Sequence, residues 1–220
     1  MIGLLVLQYV AVEAVKEVSW FTILKDIILL LVAIIGVGSA IFGLKTWRKQ
    51  LKGNTEYQLA RRLMIVIYKA RDYVKIVRNP FMDGGEITQA FKENNEEVPN
   101  IHDKKYNIKV DRAVYSMRWR QLNSALSDLK IELLEAEVIW GKEVVTKLNA
   151  FYICIKDLNF AIYKHINVKD GIFKLTAEEL KKNELIVYDT SDDPSENEFS
   201  GKFKQSVEEI ECYIKPMLKL

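Results

Sequence analysis

The side chains able to do acid–base, nucleophilic or metal chemistry are few and scattered. His102 and His165 are the only imidazoles, and neither has a cysteine or carboxylate at ligand spacing, so no metal site is expected. His102 reads as solvated loop and His165 as a cation near a helix C-terminus, where the helix dipole favours positive charge. A ribonuclease built on a helical bundle, of the HEPN class, needs an arginine closely followed by a histidine, and neither histidine here has one. Cys154 and Cys212 lie far apart, each in a helical pattern, and read as small apolar core residues rather than as a disulfide. Glu132, Glu135 and Glu137 have the chemistry of general acids or bases, but on a long helix they read as its solvated face.

Two glycine patterns invite a nucleotide. Gly38 to Gly43 opens like a phosphate-binding loop, but Leu44 stands where the lysine belongs and Lys45 comes one place late. Gly36-Val37-Gly38 lacks its third glycine, since Ile41 sits there. No catalytic set emerges: the expectation is a chain that is not an enzyme and that uses no cofactor and no metal.

Those glycines belong instead to Ile27–Leu44, eighteen consecutive residues without a charge, in which Ser39 is the one polar side chain. At about 1.5 Å per residue the run covers roughly 27 Å, and Ile23 and Leu24 lengthen it toward the ~30 Å hydrocarbon core of a bilayer. It reads as a transmembrane helix; the alternative is a buried helix of a soluble domain. Ala33, Gly36, Ala40 and Gly43 recur at spacings of three, four and three and line one face. In lipid, close packing of such faces is a usual way for helices to associate, so homo-oligomerisation is expected there.

The flanks anchor and orient this run. Ser19-Trp20-Phe21-Thr22 supplies a helix start, with Trp20 as an aromatic anchor, and Lys45, Trp47, Arg48, Lys49 and Lys52 anchor the other end. Net charge is only +2, yet residues 45–78 hold ten basic side chains against Glu56 and Asp72, while the chain turns acidic from Asp170 to Glu211. Because Lys and Arg concentrate on the cytoplasmic side, the expected placement is single-pass, N-terminus outside and C-terminal domain cytoplasmic. Residues 1–18 are apolar at first, then charged at Glu13, Lys16 and Glu17. They lack the basic start and cleavage site of a secretory signal. An interfacial helix is favoured over an extracytoplasmic cap or a short re-entrant piece.

Beyond the run the pattern is helical. From Asn54 or Thr55, read as an N-cap, an apolar stripe of Leu59, Leu63, Val66, Ile67, Ala70, Tyr73, Val74 and Val77 extends to Arg78, and Asn79-Pro80 ends it. The basic remainder of this helix has three readings: contact with anionic lipid, a grip on nucleic acid, or a solvated face paired with the acidic C-terminal third. Residues 81–109 read as a long loop with at most one helical turn. Tyr115, Trp119, Leu122, Leu126, Leu129, Leu133, Ala136 and Trp140 form a heptad seam, and after Gly141 a second runs through Val144, Leu148, Phe151, Ile155, Leu158 and Ile162. An antiparallel hairpin is favoured over one bent rod. Thr176 with Glu179 makes a capping box for a helix over 177–186, residues 189–202 read as a flexible acidic connection, and a last helix spans 203–215. Leu185–Tyr188 is the one strand candidate, without a partner.

The expected fold is therefore all-α, an N-terminal transmembrane helix followed by a cytoplasmic helical bundle. It divides into a 1–22 N-terminal interfacial segment, a 23–44 transmembrane helix and a 45–220 cytoplasmic helical domain. One N-terminal span, a basic Trp47–Gly53 exit and a compact helical domain give a layout that resembles small membrane effectors of bacterial phage-defence systems, of the retron-associated or CRISPR-accessory pore-forming type. The resemblance is one of layout and carries over no functional residue. It implies a protein that contacts membrane lipid, homo-oligomerises, and permeabilises or depolarises the membrane when a regulatory protein or ribonucleoprotein triggers it; nucleic acid is not expected as a direct ligand. The alternative is a membrane-tethered binding module or scaffold, with the heptad helices holding a cytoplasmic partner.

Overall fold

The computed structural model describes residues 2–189 and 197–218. It is all-α, with six α-helices, a closing 3₁₀ turn at Lys215–Leu218 and no strand among the described residues. The helices are α1 (Ile2–Val77), α2 (Gly84–Glu93), α3 (Tyr106–Trp140), α4 (Glu143–Lys169), α5 (Ala177–Val187) and α6 (Glu198–Ile214). The chain divides into two compact units, Met1–Asn54 and Thr55–Leu220, each described here by itself.

In the first unit, helix α1 has no break at Ser19 and none at Asn54 or Thr55. The helix starts expected at these positions are absent, because capping residues stop a helix only where the chain gains by turning away. A single mid-helix glycine such as Gly53 costs only about 1 kcal/mol.

In the second unit the apolar stripe of α1 becomes core. Leu59, Leu63, Ile67, Ala70, Val74 and Val77 pack with Leu122, Leu129 and Ala136 of α3, with Leu148, Phe151 and Leu158 of α4, and with Val207, Ile210 and Ile214 of α6. Every residue of both heptad seams is buried or half-buried. The hairpin reading holds: Asp111 near the start of α3 meets Lys169 at the end of α4 at 2.7 Å, and Arg112 meets Asp170. Gly141 makes the turn at φ +81°, in the left-handed region where a side chain is strained.

Four expectations need correction. Residues 84–93 form a ten-residue helix rather than loop: Asp83 caps it by accepting from the Glu86 N–H, and Ala90 and Phe91 bury against Val110, Ala113, Val114 and Met117. Helix α3 begins at Tyr106, since Asp103 accepts from the Lys105 N–H at 2.9 Å and organises the entry. Leu185–Tyr188 ends α5 instead of forming a strand; the Thr176–Glu179 capping box that starts α5 is present as expected. Finally, α6 begins at Glu198, five residues before the expected start. Asn197 is its fully buried N-cap, accepting from the Phe199 and Ser200 N–H groups and donating to the Leu185 carbonyl at 2.7 Å. Residues 190–196, the middle of the expected acidic connection, lie outside the described residues.

Two buried arginines tie these pieces together. Arg78, 2% exposed, donates to the Leu185, Ile186 and Tyr188 carbonyls and to Ser200 Oγ, with Asp189 at 3.4 Å. It thereby satisfies carbonyls at the end of α5 that have no partner within the helix. Arg118 grips both Glu86 oxygens and the Asn79 and Phe81 carbonyls, holding the chain between α1 and α2 against α3. Removing one partner from such a set strands the others, at a cost of about 3–5 kcal/mol. Arg78→Met should therefore lower the urea midpoint of the purified chain sharply. Arg78→Lys should not restore it, because an ammonium cannot reproduce the planar fork. A wild-type midpoint in Arg78→Met would show that the buried guanidinium holds nothing.

Candidate functional site

By length and composition, the part of α1 from Trp20 to Val77 contains a stretch able to cross a membrane, and none of its most apolar eighteen-residue window is buried. Leu, Ile and Val give that stretch good helix formers and stiff side chains, and the backbone satisfies itself internally, which hydrocarbon demands. Ala33, Gly36, Ala40 and Gly43 fall within one 100°-wide sector of this helix, by its geometry of about 3.6 residues per turn. A methyl group built at Gly36 or Gly43 meets nothing within 4 Å, so no other described part of the chain packs into the notch these residues make. Trp20 and Trp47 are exposed at the two flanks, and Lys45, Arg48, Lys49 and Lys52 are exposed beside Trp47.

The basic side chains of the second unit are used differently. Arg62 reaches Glu132 at 3.0 Å and also Glu135, and Lys69 reaches Asp128 at 2.8 Å. Arg71 pairs with its neighbour Asp72 at 2.9 Å. Of the three readings of this basic face, pairing with the acidic C-terminal third is therefore met only in small part. Of these contacts only that between Arg78 and Asp189 reaches that third, and the others fall on α3 or within α1. Glu132 and Glu135, read as a solvated face, are the partners of Arg62. A cleft of about 430 Å³ between the end of α1 and α6 is lined by Lys75, Arg78, Asp189, Ser200 and Lys204 among others. Its buried cation, Arg78, spends its donors on three backbone carbonyls and Ser200 Oγ, with Asp189 beside it, and so is held within the chain.

The most perturbed groups sit at the Asp111–Lys169 end of the bundle, and they are structural. His165, expected as a cation near a helix C-terminus, is 4% exposed: four residues before the end of α4, its imidazole falls on the core side, and Nε2 lies 2.9 Å from Tyr188 Oη. Burial pushes its pKa below the ordinary histidine value, nearby Lys169 adds to this, and Asp111 opposes it. Burial pushes the Tyr115 phenol above its ordinary range. Cys154 is buried core as expected, whereas Cys212 is exposed, on the outer side of α6. His102 is exposed in its turn. Among the described residues no three His, Cys, Asp or Glu side chains gather to hold a metal ion.

The residues that sequence reasoning missed are Arg78, Arg118 and Asn197. Only spacing hinted at two of them: Arg78 follows Val74 by four, and Arg118 lies four from both Val114 and Leu122, so each continues a buried stripe. No protein-family model, curated protein or solved structure matches the chain.

The His165 environment gives a pH prediction with a definite sign. With its folded pKa depressed, the unfolded chain binds more protons than the folded one between the folded value and about 6.5, so stability falls as pH drops through that window. The urea midpoint of the wild type should decline from pH 7 toward pH 5.5, and His165→Gln, unable to charge, should decline less steeply. Equal slopes in the two proteins would contradict the buried neutral imidazole.

Proposed function

We propose that this chain is a membrane-anchored, oligomerising effector that permeabilises or depolarises the bacterial inner membrane when triggered, in phage defence. One observation carries the reading: the apolar stretch of α1, with its notch of Ala33, Gly36, Ala40 and Gly43, has no protein covering it. Hydrocarbon is the medium in which that surface rests, and a second copy of the same helix is the partner whose backbone fits the notch. The clusters of charge and buried polarity described above all hold chain segments together, which supports a protein acting by assembly rather than by reaction. The layout resemblance to small phage-defence effectors points the same way.

In this reading Lys45, Arg48, Lys49 and Lys52 lie on the cytoplasmic face, and each juxtamembrane cation adds about 1 kcal/mol of attraction to anionic lipid. The bundle is the regulated part, held or released by a protein or ribonucleoprotein. In the tethered-scaffold alternative the heptad helices hold a partner; their seams pack in the bundle's own core, so the contact would use the outer faces of those helices.

Gly36→Leu with Gly43→Leu fills the notch while keeping the run apolar. The double variant should still insert, sediment in mild detergent as a smaller species than the wild type, and lose most of the depolarisation seen on overexpression. An unchanged oligomer with unchanged depolarisation would sink the effector reading. Exchange of residues 27–44 for an unrelated single span should abolish activity; full activity after that swap would favour the scaffold.

A further inference from the structure

The cleft between the end of α1 and α6 lies wholly within the second unit, and each of its walls is one helical face. Val74, Lys75 and Arg78 come three, four and seven residues after Arg71, and Phe203, Lys204 and Val207 stand at the same spacings after Ser200. Val74, Phe203 and Val207 are buried, so the floor of the cleft is apolar. At about 430 Å³ it has the size and the mixed lining of a small-molecule site, which runs to roughly 300–1,000 Å³ with a few polar groups placed over apolar surface.

The charges around this cleft do not cancel. Four cations, Arg71, Lys75, Arg78 and Lys204, line it with three carboxylates, Asp189, Glu208 and Glu211. Arg78 answers Asp189, while Arg71 and Glu211 are paired with residues outside the cleft, Asp72 at 2.9 Å and Lys215 at 3.0 Å. With those two partners counted, five cations stand against four carboxylates, and the unmatched charge is Lys75, which is exposed and has no ion-pair partner among the described residues. Lys204 and Glu208 are 3.9 Å apart and both largely exposed, and so loose a surface pair holds neither side chain in place. One ammonium group on each wall, Lys75 from α1 and Lys204 from α6, is therefore available above the apolar floor.

We propose that this cleft binds a small organic monoanion, with a carboxylate-like head held by Lys75 and Lys204 and an apolar body resting on Val74, Phe203 and Val207. A single charge is selected because a second one would meet Glu208 and Glu211 with no further unmatched cation to answer it. Arg78 and Ser200 are engaged with each other and with Asp189, so they shape the cleft rather than hold the ligand. A bound anion joins the last turns of α1 to α6, across the joint that Arg78 braces, and so tightens the bundle. The site belongs to the bundle alone and does not rest on the membrane reading above.

The test uses the full chain in a neutral detergent, with para-fluorobenzoate as probe followed by fluorine NMR and with empty micelles as background. The fluorine line should broaden saturably on the wild-type chain, and unlabelled benzoate should reverse the broadening. Lys75→Gln with Lys204→Gln changes two exposed positions, so the double variant should keep the wild-type urea midpoint, and its affinity for the probe should fall by about tenfold or more as two charge-assisted contacts are lost. Acetate, the head without the body, should not displace the probe, and para-fluorobenzyl alcohol, the body without the charge, should not bind saturably. No broadening beyond the micelle background, or equal affinity in the double variant, would overturn the site. Saturable binding of the alcohol, or displacement by acetate, would overturn the assignment to an organic anion by leaving only an apolar groove or only a surface charge.

Discussion

An uncovered apolar surface sets the terms for everything else in this molecule. Residues 27–44 present isoleucine, leucine, valine and phenylalanine on every side of a helix, and no described part of the chain buries them. Each such side chain moved from water to an apolar medium is worth about 1.5–3 kcal/mol, and a folded domain as a whole is stable by only ~5–15 kcal/mol. No adjustment elsewhere in a chain of this size offsets leaving that surface in water. In the proposed reading the medium around the run is hydrocarbon, and the flanking tryptophans and cations are residues suited to its two boundaries.

The bundle solves a different problem, the fixing of short irregular joints between helices without a sheet or disulfide to brace them. It does so with buried guanidinium groups. Arg78 gathers the carbonyls at the end of α5 and the start of α6 onto the end of α1, and Arg118 gathers the Asn79–Phe81 turn and the first turn of α2 onto α3. Burial lowers the Arg78 pKa and the charge of Asp189 opposes this; because backbone carbonyls take up most of their donors, both arginines act as struts. The same holds for the Tyr188–His165 contact, which pins the segment after α5 to α4. Charge inside this bundle is spent on position.

How much of this was legible in the sequence follows from which signals are periodic. The apolar run, the α1 stripe and the two seams are repeats of one residue type, and each appears in the structure on a helix; the stripe and the seams turn the expected side inward, while none of the run's most apolar window is buried. The Thr176–Glu179 box is a two-residue code for a helix start and it was readable. What failed was single-residue context. Gly84-Gly85 reads as loop, yet Asp83 caps a helix there; Asn197 in an acidic stretch reads as linker, yet it is a buried cap; Arg78 and Arg118 were not singled out, because charge is a poor guide to burial when the partners are backbone carbonyls distant in sequence. His165 was misplaced for the same reason, since nothing local announces Tyr188 twenty-three residues on. As for the candidate site, the spacing of Ala33, Gly36, Ala40 and Gly43 is legible in the sequence, but small residues on one helix face carry no sign of what packs against them.

The central claim is that residues 27–44 cross a membrane with the N-terminus outside and the bundle in the cytoplasm. A membrane-impermeant thiol reagent applied to intact bacterial cells tests it directly, with Gly3→Cys reporting one side and the native, exposed Cys212 the other. The account predicts that Gly3→Cys reacts in intact cells, whereas Cys212 reacts only after the cells are opened. Reaction of Cys212 from outside, or none at Gly3→Cys in a chain that stays in the membrane through an alkaline wash, would contradict it.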